Sequence, residues 1–259
     1  MSSSPRSIAE LRAVTQPESL LGRPGAEHWA GRLYMRRLSP YLTRLLVATP
    51  VTPNAVTALM IPAGLLAALA LTFPGLPGVA AAVALAQLQL LLDCCDGEVA
   101  RWRRAFSSRG AYLDQVAHYS TEAALAIGLG IRADGGWDSL GGWTTLGLLV
   151  AVLILLLKAE THLAEVASGR AGEPLGAEGA AAPERSGGRL RLRDGARLLP
   201  FFRPFQAIDA TILALAATVV DVAAGGLTAT RVLLLALIAF GVVAVAGHLV
   251  AVLRSPRLT

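Results

Sequence analysis

Lysine is almost missing from this chain of 259 residues: among its 23 lysines and arginines, Lys158 is the one lysine. Aromatic residues make up only 5% of the sequence, and the arginines are spread over several candidate loops instead of forming one patch. A nucleic-acid groove needs clustered basic groups with aromatics among them, so these two scarcities exclude that partner. The formal net charge of +5 therefore reads as membrane topology and attraction to lipid headgroups. Cysteine is scarcer still. Cys94 and Cys95 are neighbours, which rules out an ordinary disulfide between them and does not match zinc-ligand spacing. They read as small packing residues, with a redox or metal role as the minor alternative. Charge is low as well, at 16%, against 54% hydrophobic residues and a mean hydropathy of +0.56. That balance excludes an ordinary soluble domain and indicates a polytopic membrane protein with one membrane domain.

What is present divides along the chain. Residues 1–25 are rich in Ser, Pro, Gly and Arg without periodicity and are expected to be disordered. The first apolar run begins far from Met1, so no signal peptide is expected. Over 26–48, leucines alternate with Arg32, Arg36, Arg37 and Arg44, which predicts an amphipathic helix in the membrane interface, with a break at Pro40. A surface helix packed on the membrane domain is the alternative. From 50 to 253 the pattern predicts an all-α membrane domain of six transmembrane helices. Thr52, Pro53 and Asn54 open the first span, 55–73, and the second runs from 78 through the acids at its end. The others are 111–131, 143–159, 208–224 and 232–253. Residues 166–200 lack an apolar face and are expected to form a flexible loop, and 254–259 a short tail.

Basic residues fix the orientation. With the N-terminus cytoplasmic, 21 arginines and lysines face inside, while Arg132 and Arg231 face outside. The chain is thus expected in the cell membrane, multi-pass, with both termini on the cytoplasmic side.

The organising stretch is LLDCCDGEVARWRRAFSSRGAYLDQVAH, ending at His118. Ionisable groups beside bilayer-spanning segments are costly and mark functional sites. Asp93, Asp96, Gly97 and Ala100 fall at helical spacing on one face, and Gly110, Asp114 and His118 do the same on another. A chain reversal over 102–109 makes the two faces meet, with Arg101 at the rim.

These residues resemble the signature of the CDP-alcohol phosphotransferases, D-x2-D-G-x2-A-R, eight or nine residues, then G-x3-D-x3-D. Asp93, Asp96, Gly97, Ala100, Arg101, Gly110 and Asp114 match it, and His118 stands where the last Asp is expected. The resemblance implies that Asp93, Asp96 and Asp114 hold one or two Mg²⁺ or Mn²⁺ ions, hard cations suited to carboxylate oxygen. It places Asp93, Asp96, Gly97, Ala100, Arg101 and Gly110 at the nucleotide, with Arg101 on phosphate oxygens. Close helix packing is the other reading of the small residues. His118 takes the position of the family's base for the attacking alcohol, and a neutral imidazole can accept that proton. Metal ligation and altered or lost chemistry stay open beside that role. Glu122, four residues on, is expected behind the imidazole or as an interior polar contact.

Lys158, His162 and Arg203 form a candidate acceptor pocket, with snorkelling anchors as the alternative. The implied function is transfer of a phosphatidyl group from a CDP-linked lipid to an alcohol acceptor, with release of CMP, among membrane lipids and with a homodimer as the candidate assembly. Two alternatives are transfer of a phospho-alcohol from its CDP form to a lipid hydroxyl and a non-catalytic CDP-lipid-binding membrane protein. A cation transporter fits less well, because it has no need of small residues spaced around the acids.

Overall fold

The structure, a computed structural model, describes residues 5, 7–17, 28–167 and 203–254. Among these residues eight α-helices follow in order: α1 Ile8–Thr15, α2 Arg36–Val47, α3 Pro53–Thr72, α4 Gly75–Arg103, α5 Ser108–Asp134, α6 Gly142–Ala167, α7 Ala207–Ala224 and α8 Thr228–Leu253. A π-helical turn, Gly31–Met35, leads directly into α2. Most of the segment 166–200 and the tail 254–259 lie outside the described residues.

Among the described residues five helices, α3, α4, α6, α7 and α8, are long and apolar enough to cross a membrane. The remaining expected span lies in α5, whose 27 residues provide ample length but include Arg109, Asp114, His118, Glu122 and Arg132. Its polarity has a packing explanation. Gly64 of α3 sits so close to α5 that a Cβ would overlap the Thr121 side chain, and a Cβ on Gly128 would come within 2.6 Å of the Ala68 carbonyl. On another side Gly130 meets Gly147 and the Trp143 carbonyl of α6. A helix enclosed by its neighbours does not need an apolar surface all round. Leu125, Leu129, Leu71, Val79, Val150 and Leu234 belong to the core built around it.

Sequence signals explain the helix ends. Thr52 caps α3 by accepting from the Ala55 N–H (3.2 Å), and Pro53 occupies the first helical position. Ser107 caps α5 by accepting from the Gly110 N–H (3.0 Å). Helix α4 ends at Arg104, whose φ of 51° places a non-glycine residue in the left-handed region. The second span starts earlier than the expected residue 78, because Gly75, Leu76 and Pro77 already belong to the first turn of α4. Proline is tolerated there, since the N–H it lacks has no helical acceptor.

At the end of the bundle away from the signature, charged residues serve as caps. Asp134 accepts from the N–H groups of Gly141 and Thr144 (both 2.7 Å) and from the Thr144 hydroxyl (2.6 Å) at the start of α6. Burial pushes its carboxyl up, but hydrogen bonds from Thr144, Gly141 and Trp143 outweigh this and hold it below the usual carboxylate range. Asp221 does the same for α8, accepting from Ala229 N–H (2.7 Å), Thr230 N–H (2.9 Å) and the Thr230 hydroxyl (2.6 Å). The buried Arg132 donates to the carbonyls of Phe73 (2.5 Å) and Gly75 (2.8 Å), closing α3.

The N-terminal region departs from expectation in two places. Part of the tail 1–25 is ordered: α1 packs on α2 and α4 with Leu11 and Thr15 buried. With eight residues it is too short to show a sustained periodic signal, and tertiary contacts hold it in place. Nor does Pro40 break α2, which runs through it. Proline leaves the carbonyl of Arg36 without its usual N–H partner, and Gln16 Nε2 donates to that oxygen instead (2.9 Å). The amphipathic character of α2 is retained, with Leu38, Tyr41 and Leu45 exposed alongside Arg37 and Arg44. Ahead of it, His28 Nε2 (2.7 Å) and Trp29 Nε1 (3.0 Å) meet the Asp209 carboxylate at the start of α7.

Candidate active site

The reversal after α4 turns the chain back so that α4 and α5 both pack on α3 and side chains from their site ends face each other. Asp93, Asp114 and His118 converge, each offering a ligand atom within 4.8 Å of the others. His118 Nε2 lies 3.4 Å from Asp114 Oδ1 and 3.6 Å from Asp93 Oδ1. These separations are long for hydrogen bonds, and all three side chains are about one-third exposed. Two carboxylate oxygens and an imidazole nitrogen facing one small space are a donor set that suits a divalent cation, so the residues fit the metal that the signature implies.

Asp96 stands slightly apart from this group. Its Oδ2 accepts from the Thr57 hydroxyl of α3 (2.6 Å), and its Oδ1 accepts from the Gly97 N–H. Thr57 is thus a site residue that sequence reasoning missed. It lies 39 positions from Asp96 and carries no signal beyond its place one turn after the Thr-Pro-Asn helix start. Asn54 was missed in the same way. Its Oδ1 accepts from the Ser107 hydroxyl (2.9 Å), and a Cβ on Gly110 would come within 2.7 Å of that oxygen. Gly110 thus leaves room for the Asn54 side chain of α3 to reach the start of α5.

Gly97 makes room for Arg101. A Cβ at position 97 would lie 3.2 Å from Nη1 and 3.3 Å from Nη2 of that arginine, whose Nε donates to the Thr15 carbonyl (2.6 Å). Ala100 is buried on the same helix. Between them Glu98, fully buried, accepts from Gln16 (2.8 Å), Arg36 (3.2 Å), Ser39 (2.5 Å) and Thr43 (2.7 Å). Glu98 stands out in the sequence as one of the charged residues of this stretch, but its partners lie 55 to 82 positions away and carry no local signal. Cys94 and Cys95 are buried as free thiols, in keeping with packing roles.

Glu122 does not back the imidazole as expected. It pairs with Lys158 across the α5 and α6 interface (3.0 Å), the interior polar contact that was the alternative. Lys158 also lies over the Tyr119 ring, 4.6 Å from its centre, and His162 is tilted against the same ring at 5.8 Å. Two of the three candidate acceptor residues thus flank Tyr119, one residue after His118. Arg203 lies exposed in the 3₁₀ turn Arg203–Phe205 before α7.

The sequence pattern of the CDP-alcohol phosphatidyltransferases matches residues 50–178, a region covering α3 to α6 and the whole acidic cluster. The chain belongs to the CDP-alcohol phosphatidyltransferase family. It is also similar to the bifunctional IPC transferase and DIPP synthase of Aquifex aeolicus (strain VF5), with 33% identity over 119 residues. That similarity covers 46% of this chain, which spans a quarter of the relative's length. Within a CDP-alcohol phosphatidyltransferase domain, His118 departs from the family signature at a position that faces both Asp93 and Asp114.

Proposed function

We propose that the protein is a metal-dependent transferase that moves a phosphatidyl group from a CDP-linked lipid such as CDP-diacylglycerol to an alcohol, releasing CMP. The observation that carries this reading is the convergence of Asp93 and Asp114, from two helices, on His118. Asp93, Asp96 and Asp114 would hold Mg²⁺ or Mn²⁺, which supplies charge neutralisation at the diphosphate and at the departing CMP. Arg101 pairs with phosphate oxygens, and the small residues Gly97 and Ala100 leave space for the nucleotide. The alcohol oxygen attacks the phosphorus that carries the lipid. The bond from that phosphorus to the bridging oxygen breaks, and CMP leaves with the electron pair. His118 Nε2 takes the alcohol proton, with the carboxylates of Asp93 and Asp114 beside it as counter-charge. Lys158 and His162 flank the ring of Tyr119, the residue after His118, and this nearness supports assigning them to the acceptor side.

The arginine distribution supports a cytoplasmic site, where CDP-linked substrates are made available. Single cysteines at Phe106 and at Asp138 test this, and the buried Cys94 and Cys95 give little background. Labelling of position 106 from the cytoplasm and of 138 from outside is expected, and the reverse would overturn the topology.

The deciding experiment uses the purified full chain in detergent, with CDP-diacylglycerol and a panel of alcohols. CMP release is measured with and without Mn²⁺ or Mg²⁺. Release that needs both metal and acceptor is the expected result. Binding of the CDP-lipid without release would instead mark a non-catalytic protein.

A further inference from the structure

The catalytic-end arginine is gripped by a segment outside the family signature. Arg101 Nε donates to the Thr15 carbonyl (2.6 Å) at the C-terminal end of α1. Carbonyls in the last turn of a helix lack intrahelical donors, and the helix dipole favours a cation there. With Nε tied down on that side, Nη1 and Nη2 lie against Gly97.

The residue that closes α1 is fixed to the same helix. Gln16 Nε2 donates to the buried Glu98 (2.8 Å) and to the Arg36 carbonyl left over by Pro40 (2.9 Å), with the Ser39 hydroxyl at 3.4 Å. Glu98 and Arg101 are three apart on α4, so α1 is held to one face of the signature helix at two adjacent points. Leu11, fully buried, anchors the segment from beneath.

We propose that α1, through the Thr15 carbonyl and Gln16, is a positioning element that sets the Arg101 guanidinium toward the diphosphate of the CDP-linked donor. This rests on the phosphate-binding role given to Arg101 above. A long arginine side chain loses much rotamer freedom when it binds phosphate, and pinning Nε beforehand removes part of that loss. Gln16 and Leu11 touch no substrate and act through Arg101.

A double-mutant cycle in the full chain tests the inference. CMP release from CDP-diacylglycerol is followed for Gln16→Ala, Leu11→Ala, Arg101→Met and the two doubles, together with backbone hydrogen exchange of residues 9–15. Gln16→Ala is expected to lower the donor kcat/KM by about 10-fold while leaving the acceptor KM unchanged, since a small misplacement of a clamp costs up to about 10²-fold. In the Arg101→Met background the same change should cost less than about 2-fold, because coupled residues are non-additive. Leu11→Ala should behave alike, which covers the case of a Gln16 variant that folds poorly. Arg101→Met should also speed exchange in α1, a readout independent of turnover.

Equal losses in both backgrounds, or no loss at all, would overturn the positioning role while leaving the transferase reading intact. So would unchanged exchange in α1. A wild type that releases no CMP overturns the functional reading itself, and the inference falls with it.

Discussion

The two ends of the bundle use the same residue type in opposite ways. At one end Asp134 and Asp221 accept hydrogen bonds at 2.6 to 2.9 Å and close the first turns of the helices beside them. At the other, Asp93 and Asp114 face an imidazole at 3.6 and 3.4 Å, too far for good hydrogen bonds. The first pair is committed to backbone donors. The second keeps its oxygens turned toward a shared space. An aspartate at the edge of a membrane bundle is therefore a structural cap when helix N–H groups saturate it, and a candidate ligand when another titratable side chain is its nearest partner.

Substitutions should separate the two ends. Asp96→Asn and Asp114→Asn should abolish metal-dependent CMP release, a loss of at least about 10²-fold, with thermal midpoints close to wild type. Full turnover in either would end the assignment of the site. His118→Ala should retain CDP-lipid binding and lose about 10² to 10⁴-fold in turnover, the range of a lost general base. A loss of metal affinity in its place would make the imidazole a ligand.

At the capping end the pattern should invert. Asp221→Ala should cost about 1 to 2 kcal/mol of stability in a detergent unfolding assay, yet leave CMP release per folded molecule unchanged. Asp134 adds a pH test. Its folded-state carboxyl lies below the unfolded one, so its contribution is fully present above the unfolded pKa and is lost as pH falls through the folded value. Wild type and Asp134→Asn should then converge in stability under acid, and a constant gap across the acid range would contradict the capping account. The smallest effect is expected from Cys94→Ala, which should leave both activity and metal response unchanged.

The comparison also explains what was legible in the sequence. Asp93, Asp96, Asp114 and His118 could be placed because they lie within 26 residues at helical spacing, and local periodicity carries that information. Thr52 and Pro53 announced the start of α3 through capping chemistry alone. Thr57, Asn54, Glu98 and the docking of α1 depend on partners tens of residues away, and no periodic pattern encodes such pairs. Pro40 misled for a related reason. The break it predicts is local, and the Gln16 side chain that removes the penalty comes from 24 positions earlier. For Glu122 the spacing leaves two readings open, His118 on its own helix or an interior partner, and Lys158 on the next helix is the partner at 3.0 Å.

Beneath the site lies a contact with a different kind of consequence. Gln89 donates to the Thr121 hydroxyl (2.8 Å), and Thr121 presses against Gly64 with no room for a side chain between them. Gln89 is one turn inward from Asp93, and Thr121 is one turn inward from His118. This layer therefore works as a gauge block: three helices are clamped to a fixed separation, and the width of the acidic mouth above follows from it. Even one methyl group at position 64 would wedge α3 from α5 and change the spacing between Asp93 and Asp114.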